Sequence, residues 1–336
     1  MAEPEAVATP RPGGFGRLLK GVVLILLLSL AGMALIWAHA MVKRPVSGAA
    51  EQVVLIPAGA GRVAILARLE SRAIAVNSLV WRLEALRRGS DWVPKAGEYA
   101  IPPRSSIADI MDILDSGRSI QHSLTIPEGI TSLGLVRLLE AEDRLSGTVQ
   151  LMAEGSVLPE TYFFTRNTDR QLLVARMQQA REVAFAAAWS ARQQGLPLAS
   201  LAEAVVLASM VERETGLDGE RGLVAGVFIN RLRLGMRLQS DPTVIYGLDR
   251  DGVLDRPLSR ADWKVEHRWN TYRISGLPPT PIAHPGLASL EAVLHPEETE
   301  ALYFVADGKG GHRFARTLEE HNANIRRWRA QRGGSP

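Results

Sequence analysis

The stretch "VVLASMVERETG", from Val205 to Gly216, ends a mostly apolar run with two carboxylates, Glu212 and Glu214. A carboxyl group held among apolar neighbours loses the solvation of its charged form. Its pKa rises, and it keeps its proton near neutrality, which is the state a general acid needs. The bland alternative is a frayed last helical turn in which Glu214 simply faces water. Residues i and i+2 of a helix point nearly opposite ways, so the two cannot share a role.

The helix that would position them is legible. Ser200 and Glu203 have the spacing of a capping box, and Gly216 is a helix-stop residue, giving a helix over about 201–215. At about 100° per residue, Ser209, Glu212 and Arg213 fall in one polar sector. Met210, Leu207 and Val211 surround Glu214 in an apolar one. Glu214 is therefore the acid candidate and Glu212 a member of the polar face.

Downstream, "VAGVFINRLRLGMRLQSDPTVIYGL" (224–248) begins as a helix and then turns through Gly235 and Asp241-Pro242. "RWNTYRISGLPPTPIAHPG" (268–286) is a proline-rich loop with polar groups between aromatics. Such loops suit a sugar cleft, where aromatic faces stack and amides bind hydroxyls. Asp241 is the only second carboxylate embedded in a cleft-like motif, although Asp before Pro is also an ordinary turn former. A two-carboxylate glycosidase would need such a partner.

Other chemistries lack their residues. There is no HExxH or GxSxG motif, and the seven histidines show no paired metal-ligand spacing. With no cysteine, disulfides and thiolate metal sites are excluded. No cofactor is implied. The 39 Lys+Arg and 36 Asp+Glu nearly cancel, and no basic stripe interleaved with aromatics argues for nucleic acid.

At 336 residues the chain has room for two domains. Gly21 to Val42 carries no Asp, Glu, Lys or Arg and as a helix would be about 33 Å long, enough to cross a bilayer. The competing reading is a cleaved signal peptide with Ala38-His39-Ala40 at its cleavage site, but the apolar run is longer than such segments usually are. Either way the rest of the chain lies outside the cytoplasm, with residues 1–20 as a cytoplasmic tail if the span is retained.

Three segments then repeat one pattern. "VVLIPAGAGRVAILARLE" (53–70), "SLTIPEGITSLGLVRLLE" (123–140) and the shorter "YAIPPRSSIADIMDIL" (99–114) each show a β-prone run, an Ile-Pro step and an apolar-periodic helix. Pro57, Pro102 and Pro127 fit strand ends, and Ser105 or Ser106 can cap the helix after Pro102. Two strands enclosing helices over 51–118 give a small α+β module that resembles the LysM-type βααβ units. Residues 119–200 read as a connecting region, with a buried turn and strand at "LPETYFF" and a long helix ending at Gly195. A larger α+β domain occupies 201–330.

The stretch "LASMVERETG…FINRLRLGMRLQSDPTVIYG…LSRAD…WNTYRISGLPPTPIAHPG…LYFVADGKGGHRFARTLEEHN" resembles the MltG (YceG-like) endolytic murein transglycosylases. The resemblance implies a membrane-anchored enzyme of the plasma (inner) membrane that cuts the β-1,4 bond between N-acetylmuramic acid and N-acetylglucosamine inside peptidoglycan strands. It works without water and leaves a 1,6-anhydro end. It also implies a lysozyme-like active-site helix, with the Glu-Thr step at 214–215 standing at the catalytic glutamate. Asn230, Gln239, Asp241, Tyr246, Asn270 and Tyr272 are expected to line the substrate groove. Trp269 stands where the family often has tyrosine, so no hydrogen bond is expected at that position. Peptidoglycan strands are the implied partner, with peptidoglycan synthases as further candidates. The rival functions are a non-catalytic, membrane-anchored glycan-binding protein of the wall-synthesis machinery and a two-carboxylate muramidase.

Overall fold

The computed structural model describes residues 14–89, 92 and 94–333. Most of the expected N-terminal tail lies outside the described residues. The chain divides after Ile120 into two compact units, and helix and sheet are mixed in both.

The first unit opens with α1 (Gly14–Val42), whose stretch Leu18–Val42 is long and apolar enough to cross a membrane and has exposed side chains along most of its length. Next come β1 (Gln52–Ile56), α2 (Arg62–Glu70), α3 (Ser78–Arg88), β2 (Gly97–Ile101) and α4 (Ile107–Ser116). Strands β1 and β2 pair antiparallel with Val54 opposite Tyr99. Pro57 and Pro102 directly follow the two strands, where a missing N–H breaks no ladder bond. Ser106, rather than Ser105, caps α4: it closes a capping box with Asp109, while Ser105 turns its hydroxyl back to Pro102 O. Trp81, Tyr99, Ile56, Leu69 and Met111 lie in the core of this unit.

The second unit contains β3 (His122–Thr125), α5 (Ser132–Ala141), β4 (Thr161–Phe164), α6 (Arg170–Ser190), α7 (Leu201–Glu214), α8 (Arg221–Arg233), α9 (Asp241–Leu248), α10 (Leu287–Leu294), β5 (Tyr303–Ala306), β6 (His312–Ala315) and α11 (Leu318–Gly333). β3 pairs with β4 and β5 with β6, each as a two-stranded antiparallel sheet. The second repeat of the sequence pattern is thus β3 followed by α5, as the first is β1 followed by α2.

Two expected helix ends move. α6 stops at Ser190, with Ala191 as its C-cap, before the turn that Gly195 makes at a φ of 76°. α7 stops at Glu214, and no left-handed glycine ends it. Thr215 is extended instead, and its hydroxyl accepts the N–H of Leu217. The Asp241-Pro242 step is not a free turn. Asp241 is the first residue of α9 and Pro242 follows it in the first helical turn, where a missing N–H has no consequence.

α7 is the axis of this unit. Eight consecutive residues, Ala204 to Val211, are buried, because α6, α8, α9 and α10 all pack against it. Of the polar sector, Ser209 and Glu212 therefore face protein, while Arg213 remains exposed. Ser209 is fully buried, donates to Val206 O and accepts the N–H of Ile282.

Candidate active site

The two glutamates of α7 lead to different places. Glu212 has a side chain only 6% exposed, and its Oε2 accepts the N–H of Gly286, which precedes α10. Arg221 lies 3.7 Å from its other oxygen and 3.5 Å from Glu128. Arg213 spans outward to the carbonyls of Gly129 and Gly252. These contacts dock loops on the helix; the expectation of a merely polar face for Glu212 is replaced by a built-in anchor.

Glu214, from the last turn of α7, lines a separate cleft of about 620 Å³. Arg231 of α8, Gln239 and Asp241, Trp263 and Tyr272, Tyr303 and Phe304 of β5, His312 of β6, and His321 and Trp328 of α11 line it too. Burial pushes the Glu214 carboxyl up to about 7; the nearby Asp241 charge adds to the rise, while Ser240 and the Arg231 cation oppose it. The buried Ser240 hydroxyl acts on the Glu214 carboxyl as a hydrogen-bonding group.

Asp241 is fixed. Trp263 Nε1 donates to its Oδ1 at 2.9 Å and the Tyr272 hydroxyl donates to the same atom at 2.7 Å. Burial, followed by the Asp241 charge, holds the Tyr272 phenol far above its ordinary pKa, so it stays a donor. Arg231 is tied by its Nε to Leu302 O and by Nη1 to Leu238 O, with its guanidinium over the Tyr303 ring. His321 stacks on Tyr303 from the other element, and burial lowers its pKa. His312 is engaged by Glu220 at 2.7 Å. Gln239 adopts a left-handed φ of 50°, unusual for a residue with a side chain, between buried Leu238 and buried Ser240. Its N–H reaches Thr271 O, and the next N–H reaches Thr271 Oγ1.

Of the six residues expected to line the groove, Gln239, Asp241 and Tyr272 share the cleft with Glu214. The other three do not. Asn230 turns away from the cleft that Arg231 lines and donates to Thr299 O and Ala301 O, holding the approach to β5. Asn270 is fully buried, donates to Trp263 O and Val265 O, and accepts the N–H of Tyr272. It shapes the loop that carries the two Asp241 donors. Trp269, expected to make no hydrogen bond, donates from Nε1 to Thr280 Oγ1.

Tyr246 lines a second, mostly apolar cavity of about 1020 Å³, with Trp269, Arg250, Arg181 and Glu154. Its hydroxyl donates to Glu154, whose oxygens also accept the N–H of Ser132. Ser132, His284 and Glu154 are residue types of a nucleophile relay, but the geometry is wrong for one. Ser132 Oγ and Glu154 Oε2 approach the same nitrogen of His284, at 3.1 and 3.9 Å, while Nδ1 has no partner among the described residues. Burial lowers the His284 pKa to about 4.

The cleft residues that sequence reasoning missed include Arg231, Trp263, Tyr303, Phe304, His312, His321 and Trp328. Trp263 and Arg231 sit beside recognised motifs, so polarity next to a motif was a usable signal. Tyr303 and the α11 residues carry no local mark of the cleft.

The sequence pattern of the YceG-like family matches residues 54–327 of this chain. Over 125 residues the chain is 42% identical to the endolytic murein transglycosylase of Bacillus subtilis (strain 168), a match covering 37% of this chain and 33% of that protein. It is 26% identical over 320 residues to the endolytic murein transglycosylase of Streptococcus pneumoniae serotype 2, covering 80% and 57% of the two chains. The chain thus spans between one third and just over half of the length of these relatives. The 2.6 Å crystal structure of a yceG-like protein from Listeria monocytogenes matches with a TM-score of 0.51 and 28% identity, covering 81% of this chain and 98% of that one.

Proposed function

Because this chain belongs to the YceG-like family, we propose that it is a peptidoglycan lytic transglycosylase with Glu214 as its acid–base residue. The observation that carries the reading is a carboxyl pushed up to about 7 by burial, in a cleft of about 620 Å³ lined by aromatic and polar side chains.

The chemistry follows from that carboxyl. Protonated Glu214 gives its proton to the glycosidic oxygen as the bond from the muramic acid C1 to that oxygen breaks. The C6 hydroxyl of the same sugar then attacks C1, and its proton passes to the Glu214 carboxylate. The glycan is cut, a 1,6-anhydro ring closes, and the acid is restored with no water consumed. A hydrolase would need a second carboxylate free to act as nucleophile or base. Asp241 has one oxygen committed to Trp263 and Tyr272, which favours the one-carboxylate route. Gln239, Asp241 and Tyr272 serve in this reading as binding and orienting groups.

The remaining parts of the proposal concern placement. Leu18–Val42 acts as a single membrane span, with the rest of the chain on the extracytoplasmic side of the plasma membrane. The order β1–α2–α3–β2 with antiparallel pairing supports a LysM-like glycan-binding module within 51–118. Residues 119–200 connect it to a catalytic domain over 201–330, in which α7 plays the part of a lysozyme-like active-site helix. An anchored enzyme meets nascent strands at high effective concentration, so it limits their length.

Digestion of purified sacculi by the detergent-solubilised chain tests the activity. Products with anhydro ends support it, reducing ends point to a hydrolase, and no release points to a glycan-binding protein.

A further inference from the structure

The surroundings of Asp241 are built more firmly than a groove-lining carboxylate requires. Trp263 and Tyr272 both donate to Oδ1, at 2.9 and 2.7 Å. No protein donor reaches Oδ2 among the described residues. The two donors are themselves set by Asn270, fully buried, which accepts the N–H of Tyr272 and donates to the carbonyls of Trp263 and Val265. The rings of Trp263 and Tyr272 lie 5.9 Å apart, which limits the freedom of both donors. Two donors converging on one oxygen fix where the carboxylate sits in the cleft.

We propose that Asp241 is a positioning carboxylate, held by Trp263, Tyr272 and Asn270 as a fixed negative charge in the cleft it shares with Glu214, and that it forms no covalent bond to the sugar. The inference rests on the reading of Glu214 as the acid. A like charge nearby disfavours ionisation of Glu214, as its burial does, and the two effects act in the same direction. The opposing groups are the fixed Arg231 cation on α8 and Ser240 before α9. Tyr303 on β5, His312 on β6 and His321 and Arg329 on α11 complete the titratable lining. His312 is bound to Glu220, and burial favours neutral His321. Among the described residues, Asp241 is thus the only other carboxylate that lines the cleft with Glu214.

The test is the pH–rate profile of the full-length chain in detergent, with purified glycan strands as substrate and anhydro ends as the readout. D241N keeps an acceptor for both donors but loses the charge. Its alkaline midpoint is expected to fall by about one pH unit relative to wild type. D241E moves the carboxylate but keeps the charge, so it is expected to hold the wild-type midpoint even at a lower rate. An unchanged midpoint in D241N overturns the proposal. So does a D241N protein that melts normally yet makes no product at any pH, because Asp241 would then take part in bond making. Wild-type digestion yielding only reducing ends overturns the parent reading instead, whatever the midpoints do.

Discussion

Tyr272 donates its hydroxyl to Asp241 at 2.7 Å across 31 positions of sequence, and both residues line the cleft into which Glu214 projects. That bond joins the proline-rich loop to the first turn of α9 at the place where chemistry is proposed. It also separates the jobs of the carboxylates: Asp241 is held, while Glu214 is left to exchange protons.

Glu214→Gln keeps the shape of the side chain but cannot transfer a proton. Turnover is expected to fall by about 10²–10⁴-fold, with glycan binding retained. Glu212→Gln keeps an acceptor for Gly286 N–H but loses charge beside Arg221. It is expected to cost roughly 1–2 kcal/mol of stability and to leave most activity in place. Melting curves and sacculus digestion of the two variants together check the assignment. An inactive, well-folded Glu212→Gln beside an active Glu214→Gln would reverse the roles.

The pH dependence has a definite sign. Glu214 must be protonated to act, and its carboxyl is pushed up to about 7. Activity should therefore be lost on the alkaline side with a midpoint near that value, about tenfold per pH unit beyond it. An ordinary exposed glutamate near about 4.3 would leave little acid at neutrality. The same shift bears on stability. The raised folded-state pKa contributes stability that is full below the unfolded value and is lost as pH rises through about 7. Glu214→Gln is consequently expected to melt above wild type at pH 8, by on the order of 5 °C, and to lose that advantage at pH 5. Calorimetry at the two pH values reads this directly.

Asn230 and Gln239 were equivalent in the sequence and are not in the structure. Asn230→Ala leaves Thr299 O and Ala301 O without their donor. It should lower stability by about 1–3 kcal/mol, with KM unchanged in the folded fraction. Gln239→Ala removes an exposed cleft side chain and should raise KM without lowering Tm. Steady-state kinetics beside denaturant titration separates the two patterns.

How much was legible followed from locality. Ser200 and Ser106 caps, strand ends before Pro57 and Pro102, and the apolar sector holding Glu214 each depend on residues within one or two turns. The errors arose where neighbours came from afar. Ser209 and Glu212 on the polar sector of α7 looked like surface because one helix cannot show that four others pack against it. Asn230, Tyr246 and Asn270 were grouped by motif, and a motif does not say which way a side chain turns. One helical position separates Asn230 from Arg231, yet only Arg231 reaches the cleft. Tyr303, His321 and Trp328 enter it through the β5–β6 hairpin and α11, pairings that no local pattern announces.

Leu18–Val42 should fractionate with membranes in its full-length form and resist alkaline carbonate extraction, as a retained span does. Recovery of a chain beginning after Ala40, free in solution, would instead identify the segment as a removed signal peptide. N-terminal sequencing of the mature protein distinguishes the two outcomes.

Digestion of sacculi in water enriched in oxygen-18 tests the central claim most directly. A lytic transglycosylase closes the cut end with the sugar's own C6 oxygen. The expected muramic ends lack the mass of one water and carry no label, and Glu214→Gln is expected to form them about 10²–10⁴-fold more slowly. Label incorporated at new reducing ends by the wild-type protein would show that water is the nucleophile, and would contradict the account.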